Sequence, residues 1–148
     1  MLTLTERSPA DSLVAVSLTI ALTAFERTRS RHRLEATAAR PALYIHLPRG
    51  TVLYDGDLLR DRADNSLVRV VAKPEPVLTV IALTPLDLLR AAYHLGNRHV
   101  ELEIAPTYLR LASDSVLKAM LEQLPLEVKE EIAPFQPEMG AYKHSHAP

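Results

Sequence analysis

The sequence has 148 residues, of which 47% are hydrophobic and 24% charged, as expected of a soluble globular chain with one domain or two very small ones. Seventeen Lys and Arg residues against eighteen Asp and Glu residues leave a net charge of −1, which argues against binding nucleic acid through bulk charge. The absence of cysteine excludes disulfides, thiolate metal sites, iron–sulfur clusters and a cysteine nucleophile.

The first half of the chain alternates large and small side chains, a period typical of β-strands. Residues 13–22 are apolar, but they supply about half of the roughly 20 residues that a membrane-spanning helix needs. We therefore expect no membrane partner and a cytoplasmic location, which the lack of disulfides also fits. Predicted strands lie at 14–22, 43–47, 51–54 and 67–72, with turns at Pro48–Gly50 and Asp55–Gly56. This pattern predicts a small all-β N-terminal domain over residues 1–74.

Two prolines, Pro74 and Pro76, mark the expected domain boundary, because neither has a backbone N–H and each holds its predecessor extended. The apolar run 77–83 predicts a strand that is covered on both faces. A helix should follow, capped by Thr84 and ended by Gly96.

Further along, apolar spacing predicts strands at 100–105 and 108–112, a helix capped by Ser113 or Asp114 that ends by Pro125, and a last strand at 126–132. The order β-α-β-β-α-β is that of a ferredoxin-like domain, expected over residues 75–136. A flexible tail should occupy residues 137–148. The predicted fold class is α+β.

Two histidines five residues apart, His94 and His99, flank the expected end of the first helix. His94 falls in the last turn, where an imidazole can complement the helix dipole and the unpaired carbonyls, so a structural role is favoured for it. His99 follows the helix end and should be exposed. The sequence alone leaves it open whether His99 is a metal ligand or an ordinary loop residue.

Near the C-terminus, His144 and His146 form a His-x-His pair. In an extended chain the two imidazoles lie on the same side, roughly 6.5–7 Å apart, and could close on one divalent ion. An incidental polar end of the chain is the alternative.

Four arginines alternate along residues 27–33: Arg27, Arg29, Arg31 and Arg33. If this segment is a strand, they share one face. That face is either an edge protected by charge or a docking surface for an anionic partner. The sequence contains no glycine-rich phosphate loop, no GxSxG and no HExxH, so we do not expect an enzyme.

The run Arg90–Val100, with the sequence RAAYHLGNRHV, resembles the signature of the UreE family of nickel metallochaperones in urease assembly. The resemblance extends over nearly the whole chain. It includes Glu26–Arg31, Leu47–Gly50, Asp55–Leu59, Pro134–Glu138 and Gly140–Tyr142. Asp114–Leu117 departs from the family's DHVL sequence and lacks its histidine.

The resemblance implies a β-rich N-terminal domain, a ferredoxin-like C-terminal domain and a homodimer formed through the latter. It implies that His99 is the main Ni²⁺ ligand, shared across the two-fold axis, and that His144 and His146 assist it. It also implies delivery of nickel to apo-urease, with the GTPase UreG as a partner. Zn²⁺ and Cu²⁺ should compete for the same ligands. The alternative function is a protein-interaction adaptor whose histidines are structural.

Overall fold

The computed structural model describes residues 1–140, which form two compact units that divide after Lys73. Each unit combines one sheet with one or two helices, so the predicted α+β class is confirmed. No helix among the described residues is long and apolar enough to cross a membrane.

The N-terminal unit is built on a six-stranded mixed sheet in the order β2-β6-β5-β1-β4-β3. Strands β1 and β4, and strands β2 and β6, run parallel, and the other neighbours are antiparallel. Its elements are β1 (Leu2–Ser8), β2 (Leu18–Leu22), α1 (Ala24–Arg27), β3 (Arg31–Leu34), β4 (Leu43–His46), β5 (Leu58–Asp61) and β6 (Leu67–Ala72).

One buried face of this sheet supplies the hydrophobic core of the unit, since the period-two pattern places large residues on the same side. Fully buried members include Leu4, Leu43, Ile45, Leu59, Val68 and Val70. The alternating residues of β4 and β6 therefore place their large side chains on the buried face, as predicted.

The prediction of an all-β N-terminal domain is wrong at one place, because α1 is a single helical turn. Thr23 caps it: the Thr23 Oγ1 accepts from the Glu26 N–H at 3.2 Å, and the Glu26 carboxylate accepts from the Thr23 N–H at 2.8 Å. This reciprocal pair is a capping box, whose Thr-x-x-Glu signature is readable in the sequence.

Other differences concern strand placement in the same unit. The expected strand at 51–54 is irregular, because Leu53 donates to the Arg27 carbonyl at 2.9 Å and Tyr54 to the Asp57 carboxylate at 2.8 Å, outside any strand ladder. Strands β1 and β5 were not predicted. Strand β2 is shorter than the run 14–22 suggested.

The C-terminal unit has an antiparallel sheet in the order β10-β7-β9-β8 and two helices. Its core includes Leu78, Val80, Ala91, Leu95, Leu109, Leu111 and Leu121. Its elements are β7 (Glu75–Ala82), α2 (Pro85–Asn97), β8 (Glu103–Ile104), β9 (Leu109–Ala112), α3 (Ser115–Glu122) and β10 (Leu126–Ala133). The strand expected at 100–105 thus shrinks to two residues.

Candidate functional site

The helix α2 begins as predicted and ends later than predicted. Thr84 caps its start, with the Thr84 Oγ1 accepting from the Asp87 N–H at 3.2 Å, and Pro85 occupies the first turn. Gly96 was expected to end the helix, but α2 continues through it to Asn97. Helix termination depends on the residue that leaves the helical conformation, and here that residue is His99.

His99 has a φ of 59°, the left-handed conformation that glycine usually supplies at the end of a helix. The His99 N–H donates to the Gly96 carbonyl at 3.0 Å, and the Val100 N–H donates to the Leu95 carbonyl at 3.1 Å. These bonds close the helix end in the manner of a Schellman motif. A left-handed non-glycine residue costs about 1–2 kcal/mol. The exposed His99 imidazole is therefore fixed to a rigid turn at a conformational cost.

His94 lies in the last turn of α2, as predicted, and is exposed. Its ring packs edge-on against Tyr93, with the ring centroids 5.6 Å apart. The two histidines are thus held differently, His94 by the helix and His99 by the turn that ends it.

The outer face of α2 carries an apolar stripe of three residues, Leu86, Leu89 and Tyr93, which we call the α2 stripe. Their exposed fractions are 53%, 68% and 69%. The spacing i, i+3, i+7 places them on one helix face, opposite the buried Ala91 and Leu95. Exposed apolar residues that share one helix face are a feature of surfaces that pack against a partner.

His144 and His146 lie outside the described residues. Within residues 1–140, no three His, Cys, Asp or Glu side chains cluster closely enough to hold a metal ion.

The arginine-rich segment does not form one strand face, because α1 occupies its beginning. Arg27 is buried, and its guanidinium Nη1 donates to the Leu22 carbonyl at 2.8 Å, which makes it a structural residue. Arg33 is exposed and its Nε lies 3.1 Å from a Glu35 carboxylate oxygen. Arg29 and Arg31 are exposed as well, so three of the original four arginines face the solvent.

Arg29 and Arg31 line a surface depression of about 660 Å³ together with Arg49, a residue that the sequence analysis missed. The Leu47 N–H donates to the Ser30 carbonyl at 2.8 Å, which holds the two chain segments side by side. We call these three arginines the arginine pocket. The turn Pro48–Gly50 was predicted, but its partner segment could not be read from local sequence.

His32 lies on β3 between the exposed Arg31 and Arg33 and faces the core, as alternation predicts. Its Nδ1 has no hydrogen-bond partner among the described residues. Burial lowers the pKa of the His32 imidazole, and the positive charge of Arg29 lowers it further, whereas Glu26 acts in the opposite direction. The net effect favours the neutral form of the ring.

Comparison with known proteins gives one consistent result for both units. Residues 4–73 match the family model described as UreE urease accessory protein, N-terminal domain, and residues 75–148 match that of its C-terminal domain. A protein of Nostoc punctiforme named urease accessory protein UreE is 64% identical over 148 residues, which cover 99% of each chain.

Two further relatives carry the same name. One, from Microcystis aeruginosa, is 55% identical over 152 residues, covering 99% of this chain and 95% of the relative. The other, from Thermosynechococcus vestitus, is 55% identical over 146 residues, which cover 99% of this chain and 100% of the relative. These relatives are named as accessory proteins and not as enzymes.

Proposed function

Because this chain belongs to the UreE family of urease accessory proteins, we propose that it binds Ni²⁺ and delivers it to apo-urease during urease maturation. Membership in a family of accessory proteins confirms the expectation that the chain is not an enzyme. Nickel is the cargo in this proposal, and His99 is its main ligand.

The observation that carries the proposal is the conformation of His99. A histidine in a left-handed turn, where glycine would be more stable, is typical of a position kept for function at the expense of stability. Imidazole nitrogen suits Ni²⁺ better than carboxylate or water does. An exposed imidazole on a rigid turn can take up a metal ion and release it.

A second copy of the chain supplies the partner ligand in this proposal. Nickel takes several ligands, so a single His99 does not complete a site. The α2 stripe lies on the helix that ends beside His99, and it is exposed in the isolated chain. Packing the stripes of two copies together would bury this apolar surface. A homodimer formed this way could bring two His99 residues toward one ion.

The finer parts of the proposal divide the chain by role. Residues 1–74 dock the maturation partners, including the GTPase UreG, through the arginine pocket, whose guanidinium groups suit acidic side chains. Residues 75–136 form a ferredoxin-like metal-binding and dimerisation domain, an assignment supported by the β-α-β-β-α-β order and the antiparallel sheet. The tail that the sequence predicts over residues 137–148 lies largely outside the described residues. In this proposal the protein acts in the cytoplasm.

His144 and His146 of the tail supply auxiliary ligands. An imidazole nitrogen must be free of a proton to bind the metal, so nickel affinity should fall as the solution is acidified. Zn²⁺ and Cu²⁺ compete because they accept the same nitrogen ligands.

The test is a nickel titration by calorimetry, combined with light scattering, on the wild type, His99→Ala and a chain that ends at Tyr142. We expect one tight Ni²⁺ per dimer, lost in His99→Ala and weakened at least several-fold by the truncation. His94→Ala is the matched control, since it removes an exposed imidazole from the last turn of the helix that precedes His99. Nickel binding that is indifferent to His99 would refute the proposed site.

The alternative is an adaptor without a metal role. It predicts that His99→Ala supports urease maturation as well as the wild type does. The left-handed conformation of His99 disfavours it, since a purely structural turn is more stable with glycine.

A further inference from the structure

Two paired residues of the small sheet, Glu103 on β8 and Arg110 on β9, hold the chain that follows the last strand. They are direct neighbours in the antiparallel register, and their side chains are 12% and 15% exposed. The Glu103 Oε2 lies 3.6 Å from the Arg110 Nη1. We call this pair the C-terminal clamp.

The clamp makes direct hydrogen bonds to the backbone beyond β10. The Gln136 N–H donates to the Glu103 Oε1 at 2.7 Å, and the Arg110 Nη1 donates to the Pro134 carbonyl at 3.2 Å. Phe135, between these two contacts, is only 3% exposed. The Glu138 N–H then donates to the Leu102 carbonyl at 2.8 Å.

The clamp itself is braced from three sides. The Tyr108 hydroxyl donates to the Glu103 Oε2 at 3.1 Å, and the Arg110 guanidinium lies over the Tyr108 ring, 4.8 Å from its centroid. The Arg110 Nε donates to the Thr79 Oγ1 at 3.1 Å, and the Arg110 Nη2 is 3.8 Å from a Glu131 carboxylate oxygen. Charge-assisted bonds in a half-buried setting are stronger than surface ion pairs, so the held segment is anchored firmly.

The anchor lies close to His99 along the chain. Leu102 is three residues from His99, a span of at most about 10 Å. Glu138 is bonded to Leu102, and His144 follows six residues later, within at most about 21 Å of chain. If the segment were released after Ala133, the tether to His144 would lengthen to eleven residues, or at most about 38 Å.

We propose that Glu103 and Arg110 are positioning residues that fix the start of the C-terminal tail beside the turn of His99. By this means they raise the effective concentration of the tail histidines at the metal. The inference rests on the proposed function, because it presumes that His99 binds nickel with help from His144 or His146. Effective concentration falls roughly as the −3/2 power of tether length, so release alone should lower it about two- to threefold.

The first test measures the anchor without metal. In Glu103→Ala, the amides of Gln136 and Glu138 should lose protection from hydrogen exchange. The Gln136 N–H loses its acceptor, and the Glu138 N–H, two residues further on, loses the anchor that holds its segment against Leu102. Glu103→Gln keeps a carbonyl oxygen that can accept from Gln136 and should retain most of the protection. Unchanged protection in Glu103→Ala would refute the clamp.

The second test is a double-mutant cycle on nickel affinity. Glu103→Ala should weaken nickel binding at least two- to threefold in the full chain, and not at all in a chain that ends at Tyr142. Glu127→Ala, an exposed carboxylate on β10, is the matched control and should have no effect. Equal weakening in the full and truncated chains would mean a general structural role and would overturn the inference.

A second variant tests the same contact in case Glu103→Ala does not fold. Gln136→Pro removes the N–H that donates to Glu103, at a position outside β8 and β9. It should reproduce the tail-dependent loss. If His99→Ala binds nickel as well as the wild type does, the proposed function is wrong. The hydrogen exchange of Gln136 and Glu138 still tests the clamp, because it is measured without metal.

Discussion

In the N-terminal unit the exposed arginines come together from two distant chain segments, whereas in the C-terminal unit the exposed histidine is set by the end of one helix. Arg49 joins Arg29 and Arg31 only because backbone bonds align two segments of the folded unit. His99 needs no such partner, since the Schellman bonds that hold it lie within the six residues 95–100. A residue positioned by local hydrogen bonds can be recognised from a short sequence motif. A surface assembled from distant segments appears in the sequence only as separate charged residues.

The largest expected effect tests whether the two surfaces act independently. Reversing two pocket charges, with Arg29→Glu and Arg31→Glu, should weaken binding to UreG tenfold or more, because like charges then face an acidic partner. Nickel affinity should not change. Surface plasmon resonance with UreG and nickel calorimetry measure the two properties separately.

The matched control reverses two other exposed arginines of the same unit, Arg33→Glu and Arg62→Glu, which are paired with Glu35 and Glu6. It changes the net charge equally and should keep most of the UreG affinity. An equal loss in the control would show that bulk charge, and not the pocket, drives docking.

A smaller effect compares Asn65 and His99, the two non-glycine residues among residues 1–140 that have a positive φ, one in each unit. His99→Gly should raise the free energy of unfolding of the C-terminal unit by up to about 1 kcal/mol, because the strain relieved exceeds the entropy that glycine adds to the unfolded chain. The same variant should lose tight nickel binding. Urea unfolding of the metal-free protein measures the gain.

Asn65→Gly in the N-terminal unit is the counterpart, with a φ of 62°. The short polar side chain of asparagine can hydrogen-bond locally in this conformation, so the gain at Asn65 should be smaller. A destabilised His99→Gly would argue that the His99 side chain contributes packing and is not held there for its imidazole.

The smallest effect concerns acid stability of the N-terminal unit. The pKa of His32 is lowered in the folded state by burial and by Arg29, so the unfolded chain binds more protons below about pH 6.5. Stability of this unit should therefore be full above that pH and should fall as the pH drops from about 6.5 toward the lower folded pKa. Urea unfolding followed by backbone NMR signals of β3 and β4 measures the slope.

His32→Leu should remove this part of the pH dependence, because it replaces the imidazole with an apolar side chain in the same core. His46→Gln, on exposed β4 surface, is the control and should keep it. An unchanged slope in His32→Leu would assign the effect to other groups.

The sequence predicted those elements whose signals are local. Thr84 and Asp114 cap their helices as expected, and the alternation of residues 43–46 and 67–72 marks strands. Strand β5 escaped because Leu58–Asp61 does not alternate: the consecutive residues Leu58 and Leu59, whose side chains point to opposite faces, are both buried. The prediction that α2 ends at Gly96 was wrong, because glycine permits a helix end without requiring one.

The candidate site divides in the same way. His99 was identified from its position after a helix and from the resemblance of its neighbours, and its exposure agrees with that expectation. The clamp could not be found in sequence, because Glu103 and Gln136 are separated by thirty-three residues and meet only when the chain folds back. The exclusion of Arg27 from the arginine surface likewise required its buried bond to Leu22.

Strand β1 has a consequence for anyone who trims or extends this protein. It lies between β5 and β4 in the middle of the six-stranded sheet, although it consists of residues 2–8. Removing those residues would not shorten the sheet from one edge. It would leave β2-β6-β5 and β4-β3 as two fragments with facing unpaired edges, which is a template for exchange of strands between molecules. Shortened versions of this protein should therefore begin at its first residue and be cut only from the other end.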